Sequence, residues 1–193
     1  MVWVTQQFKI RKVEHIKEIA IGDLHFVPYL TADMLQEKVN QMAYDISQKY
    51  HDKVPLFLVV MNGAFMFAAD LIRKLDFPAE LVFIRVKSYH GIQSTGKAQI
   101  FMPEDVEIKD RHVIIMEDII DTGNSMSFLL PELQKMNPAS IKMATALFKP
   151  AALKHPVKPE YVGFEVPNDF LVGYGLDYDG LGRNLNDIYV LKP

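Results

Sequence analysis

Apolar positions recur along the chain at two spacings, one typical of helices and the other typical of buried strands. The first amphipathic segment follows Thr31, a residue type favoured at helix N-caps, and runs to about Tyr50. Its apolar residues return every three or four positions: Leu35, Val39, Met42, Ala43 and Ile46. This spacing predicts an amphipathic helix with one face against the core.

Short, continuous apolar runs predict strands that are buried on both faces. PLFLVVM (55–61) ends at Asn62-Gly63 and precedes AFMFAADLIRKL (64–75), whose pattern predicts a helix. The same order returns further along the chain, with strands predicted at 79–88, 112–117 and 140–148 and a helix after Ser125. Strands and helices that alternate in this way favour a doubly wound α/β fold, with a mainly parallel sheet and helices on both faces.

Two segments interrupt this alternation. Residues 88–99, SYHGIQSTGKAQ, are polar, contain two glycines and are too long for an ordinary connection, which predicts a mobile lid. Residues 166–186 carry four glycines among aromatic residues and aspartates, a composition that suits a small irregular lobe over a ligand. We expect this lobe, the hood, to include N-terminal residues and to belong to a single domain spanning residues 1–193.

Composition narrows the class of protein. Of the 193 residues, 49% are hydrophobic and 23% are charged, the profile of a globular protein that folds by itself. The net charge of -3 provides no general attraction for polyanions, so we expect no nucleic-acid partner. The chain has no cysteine, which excludes disulfides and thiolate metal sites and fits a reducing compartment, and we expect the cytoplasm.

The sequence does not predict an association with membranes. Lys9, Arg11, Lys12 and Glu14 interrupt the N-terminal apolar stretch before a signal-peptide core could form. No other apolar stretch approaches the roughly 20 residues that a membrane-spanning helix needs. We therefore expect neither a secretion signal nor a membrane partner.

The segment VIIMEDIIDTGNS (113–125) turns from apolar to acidic at the end of a predicted strand. Ligands of open α/β sheets bind beyond the carboxyl ends of the strands, so this position favours a site. The N–H groups at the start of the following helix can hold a phosphate. Glu117 and Asp118 would repel it unless they face sugar hydroxyls or a magnesium ion, which leaves Asp121 for proton chemistry. A phosphorylated sugar fits both halves of the motif.

The same segment allows an interpretation without a ligand. A capped helix start with solvated acids would explain the same residue types without a ligand. Nucleotide binding of two common kinds is not expected, because the chain has no Walker loop of the form G-x-x-x-x-G-K-[ST] and no G-x-G-x-x-G turn that opens a helix after a strand.

The sequence V-I-I-M-E-D-I-I-D-T-G resembles the phosphoribosyl pyrophosphate (PRPP) motif of the type I phosphoribosyltransferases, and E-D-I-I-D-T-G is similar to the form in hypoxanthine-guanine phosphoribosyltransferases. The resemblance runs from about Val54 to Val190 through four further motifs: F-I-R-V-K-S-Y (83–89), Q-S-T-G (93–96), V-G-F-E-V-P (162–167) and V-G-Y-G-L-D-Y (172–178). It implies Mg²⁺-dependent transfer of the 5-phosphoribosyl group from PRPP to N9 of hypoxanthine or guanine. The products would be IMP or GMP and pyrophosphate.

The resemblance also implies roles on the PRPP side of the site. Glu117 and Asp118 would hold the ribose hydroxyls, and Asp121 would lie near purine N7 as a general acid and base. The 5-phosphate would be bound by the turn after the strand: Asp121, Thr122, Gly123, Asn124 and Ser125. The pyrophosphate would meet Asn62, Gly63 and Arg183, whose guanidinium presents a suitable fork of donors.

On the base side, the resemblance implies that Lys149 donates to the purine 6-oxo group and that Phe170 stacks on the ring. Leu171 would address the purine edge through its backbone, and Asp177 would lie nearby as a magnesium-site aspartate. From the residues alone, Lys149 and Asp177 could equally be solvated charges, and Phe170 could be a core residue.

The resemblance implies Mg²⁺ as the cofactor and a mobile lid over the site. The metal ligands would come from Asp177, Glu117 and Asp118, because Mg²⁺ prefers oxygen ligands and retains several waters. Ser88 and Tyr89 match the Ser-Tyr pair of the family's flexible loop, whose closure would exclude water from the reaction.

The chain departs from the family pattern at two positions. Many relatives have leucine-lysine-glycine in the pyrophosphate loop, whereas this chain has Met61-Asn62-Gly63 and so lacks a cation there. Pro131 lies in the helix after Ser125, where it removes a backbone donor.

Two alternatives to a hypoxanthine-guanine enzyme remain open from the sequence. One is a regulator that keeps a phosphoribosyltransferase fold as a PRPP sensor and binds nucleic acid, which the negative net charge disfavours. The other is an enzyme that prefers xanthine, which Lys149 leaves open. We also expect a homo-oligomer, either a dimer or a tetramer.

Overall fold

Ten strands and three α-helices follow one another in the part of the chain that the computed structural model describes, residues 17–88 and 98–193. The strands are β1 (Ile19–Ile21), β2 (Leu24–Leu30), β3 (Leu56–Val60), β4 (Glu80–Ser88), β5 (Ala98–Phe101), β6 (His112–Ile120), β7 (Ser140–Phe148), β8 (Tyr161–Glu165), β9 (Leu171–Val172) and β10 (Ile188–Leu191). The helices are α1 (Ala32–Tyr50), α2 (Phe65–Ile72) and α3 (Asn124–Lys135), with a 3-10 turn at Pro150–Ala152.

The larger of two sheets has six strands in the order β5-β4-β3-β6-β7-β8. Neighbouring strands from β4 to β8 pair in parallel, whereas β5 is antiparallel to β4. Helix α2 connects β3 to β4, and α3 connects β6 to β7, because parallel neighbours need a crossover connection. The predicted α/β fold with a mainly parallel sheet is confirmed.

Each face of the six-stranded sheet is covered by helices. Alternate residues of β3 point to opposite faces. Phe57 and Val59 pack with α1 and α2, whereas Leu56 and Leu58 pack with α3. All five residues of β3 are buried, which explains why its sequence is continuously apolar and not alternating.

Helix α1 has the predicted bounds and the predicted cap. The side chain of Thr31 accepts a hydrogen bond from the backbone N–H of Met34 at 3.3 Å. The apolar residues that predicted the helix are buried: Leu35, Val39, Met42, Ala43 and Ile46. The helical spacing therefore identified the face that packs on the sheet.

The hood is a second, antiparallel sheet in the order β1-β2-β10-β9. Its core contains Phe26, Val172 and Tyr189, which come from three of its strands. The prediction that N-terminal residues and residues 166–186 form the hood did not include β10, which lies outside residues 166–186 and pairs with both β2 and β9. Strands of two to seven residues give too weak an alternation to be recognised singly.

Strand β6 is longer than predicted, and this changes the position of two acidic residues. The pairing with β7 continues through Ile119 and Ile120. Glu117 and Asp118 therefore lie within the strand, whereas the sequence placed them at its end. Helix α3 begins at Asn124, before Ser125, and contains Pro131 in its interior. The carboxylates interrupt the apolar run, so the sequence pattern ended the strand too early.

The predicted lid overlaps the described residues only at its two ends. Ser88 is the last residue of β4, and residues 98–99 belong to β5, which pairs with β4. Tyr89 and the rest of the predicted lid, up to residue 97, lie outside the described residues. Within 17–88 and 98–193, no helix combines the length and the apolar character needed to cross a membrane.

Candidate active site

Three parallel strands end at one edge of the large sheet, and the segment after each carries predicted site residues. Asn62 and Gly63 follow β3, residues 121–125 follow β6, and Lys149 follows β7. The carboxyl ends of parallel strands are the usual position of ligand sites in open α/β sheets. The structure thus brings together residues that are far apart in the sequence.

A cleft lies at the N-terminus of α3. It is lined by Glu117 and by the turn that leads into the helix: Asp121, Thr122, Gly123, Asn124 and Ser125. The first N–H groups of a helix have no partners within the helix, and the helix dipole favours an anion there. The cleft therefore has the position and the donors that a phosphate group requires.

The turn 121–125 is supported by the segment that follows β7. The N–H of Lys154 donates to the carbonyl of Thr122 at 2.9 Å, and Nε2 of His155 lies 2.8 Å from Oδ1 of Asn124. Gly123 has a φ of +76°, and a Cβ there would press against Val157. The sequence did not single out His155, because its contact with Asn124 is made across 31 residues and follows no local pattern.

Glu117 lines the cleft with a buried and unsatisfied oxygen. Its Oε2 has no hydrogen-bond partner among the described residues. Burial raises the pKa of Glu117 well above its usual value, and the neighbouring charge of Asp118 raises it further. An unpaired buried oxygen is costly, and a ligand hydroxyl or a cation would satisfy it.

Asp118 contacts a different part of the site from Glu117. A Cβ on Gly63 would overlap the carboxylate of Asp118, so the loop after β3 lies directly on this side chain. Burial raises the pKa of Asp118. The N–H groups of Ile119 and of Asp118 itself and the charge of Arg183 act in the opposite direction, while Asp177 raises it.

The hood contributes Asp177 and Arg183, which form an ion pair. Nη2 of Arg183 lies 2.5 Å from Oδ1 of Asp177, and Nη1 donates to the carbonyl of Gly175 at 2.7 Å. The other oxygen of Asp177 accepts from the N–H of Gly180 at 2.7 Å. Gly175 has a φ of +101°, and a Cβ there would overlap the carbonyl of Gly63. The hood therefore lies in contact with the loop after β3.

Lys149 and Asp121 are adjacent at the mouth of the cleft. Nζ of Lys149 lies 3.4 Å from Oδ2 of Asp121, and Lys149 is only 7% exposed. Oδ1 of Asp121 is buried without a hydrogen-bond partner in the described part of the chain. Lys149 is therefore not the solvated charge that the sequence alone allowed. Burying a lysine ammonium is costly unless it is paired, and here its partner is Asp121.

The hood carries a cluster of three aromatic rings, one of which is exposed. Phe170 is 44% exposed, and its ring lies 6.1 Å from that of Phe26 and 5.9 Å from that of Tyr178. Leu171 is buried in β9, where it is paired with Val190 of β10. Three aromatic rings that support one another leave Phe170 partly open to stack on a planar ligand.

The remaining predicted residues are at the margins of this site. Asn62 is exposed, and the peptide bond between Met61 and Asn62 is cis. Ser88 lies at the end of β4, and Tyr89 lies outside the described residues. The structure therefore gives no position for the Ser-Tyr pair over the cleft.

Comparisons with known proteins agree with this geometry. Residues 31–179 match the family profile described as a phosphoribosyl transferase domain. The hypoxanthine-guanine phosphoribosyltransferase of Bacillus subtilis is 40% identical over 165 residues, which cover 85% of this chain and 92% of that protein. The chain belongs to the phosphoribosyl transferase family.

Two further comparisons bear on fold and length. A crystal structure of a hypoxanthine phosphoribosyltransferase from Staphylococcus aureus superposes with a TM-score of 0.81 at 35% identity, covering 86% of this chain and 91% of that chain. The bifunctional protein TilS/HprT of Listeria innocua is 39% identical over 191 residues, which cover 97% of this chain. This chain spans only 29% of that bifunctional protein.

The raised pKa of Glu117 predicts a stability cost that depends on pH. The pKa of Glu117 is near 4.5 in the unfolded chain and higher in the folded chain. The free energy of unfolding therefore falls as pH rises between these two pKa values, and it stays reduced at higher pH. Glu117→Gln cannot ionise and should be more stable than the wild type at about pH 8, with a difference that shrinks as pH falls towards about 4.5.

Urea unfolding over this pH range measures the difference, and Glu37→Gln on the exposed face of α1 is the matched control. The control should leave the free energy of unfolding within about 0.5 kcal/mol at every pH. A Glu117→Gln variant that is less stable than the wild type at about pH 8 would contradict the assigned cause of the shift.

Proposed function

We propose that the chain transfers the 5-phosphoribosyl group of PRPP to N9 of hypoxanthine or guanine, giving IMP or GMP and pyrophosphate in purine salvage. The observation that carries the proposal is the buried Lys149 beside Asp121, at the mouth of a cleft suited to phosphate. Relatives over most of the chain's length are hypoxanthine-guanine phosphoribosyltransferases, which supports an enzyme and disfavours a PRPP-sensing regulator.

Breaking the bond between ribose C1 and pyrophosphate creates a cation-like sugar and a strongly anionic leaving group. The turn 121–125 and the N-terminus of α3 bind the 5-phosphate. Glu117 and Asp118 hold the ribose hydroxyls from within β6, and Arg183 meets the pyrophosphate from the hood. This arrangement fixes the sugar between its two phosphate groups, so that the base can attack C1 from the opposite face.

The base is recognised by its polar edge and by its ring face. Lys149 donates to the 6-oxo oxygen, Leu171 offers its backbone and Phe170 stacks on the purine. As N9 bonds to C1 and the bond from C1 to pyrophosphate breaks, Asp121 accepts the proton that purine N7 loses, and its buried Oδ1 has no other partner among residues 17–88 and 98–193. The pairing with Lys149 holds this carboxylate next to the base.

Mg²⁺ is the cofactor that fits the available oxygen atoms. The described residues contain no group of three or more potential ligand side chains, so residues 17–88 and 98–193 offer no complete cage. Mg²⁺ commonly binds one or two carboxylates together with substrate phosphates and waters. Asp177 would hold it on the pyrophosphate side, and Glu117, with its unpaired Oε2, and Asp118 on the ribose side. The ion would neutralise charge that develops on the leaving group.

Several wider expectations accompany this proposal. We infer a single phosphoribosyltransferase domain over residues 1–193, a homo-oligomer of two or four chains, and a cytoplasmic location. The net charge of -3 supports the absence of a nucleic-acid partner.

The base preference should depend on Lys149. Hypoxanthine and guanine should react, and adenine should be rejected by a factor on the order of 10³, because the lysine ammonium only donates and adenine presents an amino group at position 6. Absorbance assays of hypoxanthine, guanine, xanthine, adenine and a pyrimidine with PRPP and Mg²⁺ measure this directly.

Lys149→Ala should erode that preference, whereas Lys142→Ala, which removes a solvent-accessible lysine from the other end of the same strand, should not. Adenine turnover equal to that of hypoxanthine in the wild type would refute the assignment of Lys149. Efficient turnover of xanthine alone would favour the xanthine-preferring alternative.

Asp121→Asn should lower kcat by about 10²- to 10⁴-fold, because a proton-transfer role is expressed in the transition state. The KM for PRPP should change little, since the N–H groups of the phosphate turn remain. Steady-state kinetics test this, with the exposed Asp105→Asn as the control. A kcat within about threefold of the wild type would remove Asp121 from the proton transfer.

Chelation should abolish turnover without unfolding the protein. Excess EDTA is expected to stop nucleotide formation, and added Mg²⁺ should restore it, because the carboxylates and the pyrophosphate need a shared cation. Circular dichroism in EDTA should match that of the untreated protein. Undiminished turnover in EDTA would show that no divalent ion is required.

A further inference from the structure

The loop after β3 is held against β4, and Arg85 lies at the point of contact. The N–H of Met61 donates to the carbonyl of Ile84 at 2.8 Å. The parallel pairing of the two strands ends at Val60 and Ile84, so Arg85 is the first residue of β4 beyond it. Nη2 of Arg85 donates to Oδ1 of Asn62 at 3.0 Å. The side chain of Arg85 is therefore hydrogen-bonded to Asn62, the residue next to Gly63.

Arg85 differs from the other arginines of the described residues in its charge environment. Arg73, Arg111 and Arg183 each pair with a carboxylate, respectively from Asp70, Glu80 and Asp177. Arg85 is exposed and makes no ion pair with a carboxylate of residues 17–88 and 98–193. Its positive charge, at the carboxyl edge of the sheet, is thus not balanced by a carboxylate from the described part of the chain.

The hydrogen bond from Arg85 also sets the orientation of the Asn62 amide. Since Oδ1 accepts from the guanidinium, the NH₂ group of Asn62 points away from Arg85. The loop then offers two kinds of donor, an amide NH₂ and a charged guanidinium, beside Gly63. Both groups are hydrogen-bond donors, and the guanidinium can donate to two oxygens of one phosphate at the same time.

We propose that Arg85 binds the pyrophosphate group, together with Asn62, and supplies the positive charge of the loop after β3. This rests on the proposed function, which makes pyrophosphate the leaving group. Arg183 forms an ion pair with Asp177, which partly neutralises its charge, and Lys149 forms an ion pair with Asp121. Arg85 has no such competitor among the described residues, so it meets the leaving group with its full charge.

The test compares variants that remove, keep or move this charge. Arg85→Met should raise the KM for PRPP and, in the reverse reaction, the KM for pyrophosphate by about tenfold or more, with the KM for hypoxanthine unchanged. Arg85→Lys should lose less affinity. Asn62→Lys in the Arg85→Met background should recover much of it, because the charge returns to the adjacent position. Lys109→Met, an exposed residue just before β6, controls for the loss of one positive charge.

Calorimetric titration of each protein with pyrophosphate and Mg²⁺ gives the same comparison without turnover. Weaker pyrophosphate binding in Arg85→Met, with recovery in the double variant, supports the proposal. Equal pyrophosphate affinity in the wild type and Arg85→Met, or equal losses in Arg85→Met and Arg85→Lys without recovery in the double variant, would overturn it. A wild type that binds pyrophosphate through Arg85 but converts no base would leave this assignment intact and refute the proposed function.

Discussion

The absence of a side chain at Gly63 is the constraint on which the site depends. The carboxylate of Asp118 fills the space of a Cβ on one side, and the backbone of the hood at Gly175 lies against the carbonyl. Three segments from different parts of the fold, the loop after β3, strand β6 and the hood, therefore meet within van der Waals distance. Any larger residue at position 63 would push these three segments apart. It would also separate the side chains proposed to bind ribose from those proposed to bind pyrophosphate.

A hydrogen-bonded cluster around Asp70 anchors the hood to the helix layer. Tyr174, which precedes Gly175 and has a φ of +50°, donates its hydroxyl to Asp70 on α2 at 2.9 Å. Gln36 on α1 donates to the same carboxylate oxygen, and Arg73 pairs with the other one. Burial and the charge of Asp70 raise the pKa of Tyr174, so the phenol remains a donor. The site thus rests on contacts made well outside it.

The parts of the fold that the sequence predicted well are those whose pattern is local. Strand β7 was predicted at its observed bounds because its mainly apolar run ends sharply at Lys149. The hood sheet was not predicted, since its short strands pair with partners at the far end of the chain. For the same reason no role was predicted for His155, or for Arg85 beyond its place in the F-I-R-V-K-S-Y motif, because each makes its contact across the fold. Motif resemblance supplied the other candidate residues, and the structure brought most of them to one edge of the sheet.

The pairing of β2 with β10 also determines when the site can be completed during synthesis. The strands of the large sheet all lie between residues 56 and 165, so they can pair before the end of the chain has been translated. Strand β2 leaves the ribosome early but pairs with β10, and β10 also joins β9 to the hood. Until residue 191 emerges, only β1 is available to β2. The nascent chain can therefore acquire the layer proposed to bind phosphate well before the hood, which is proposed to face the base.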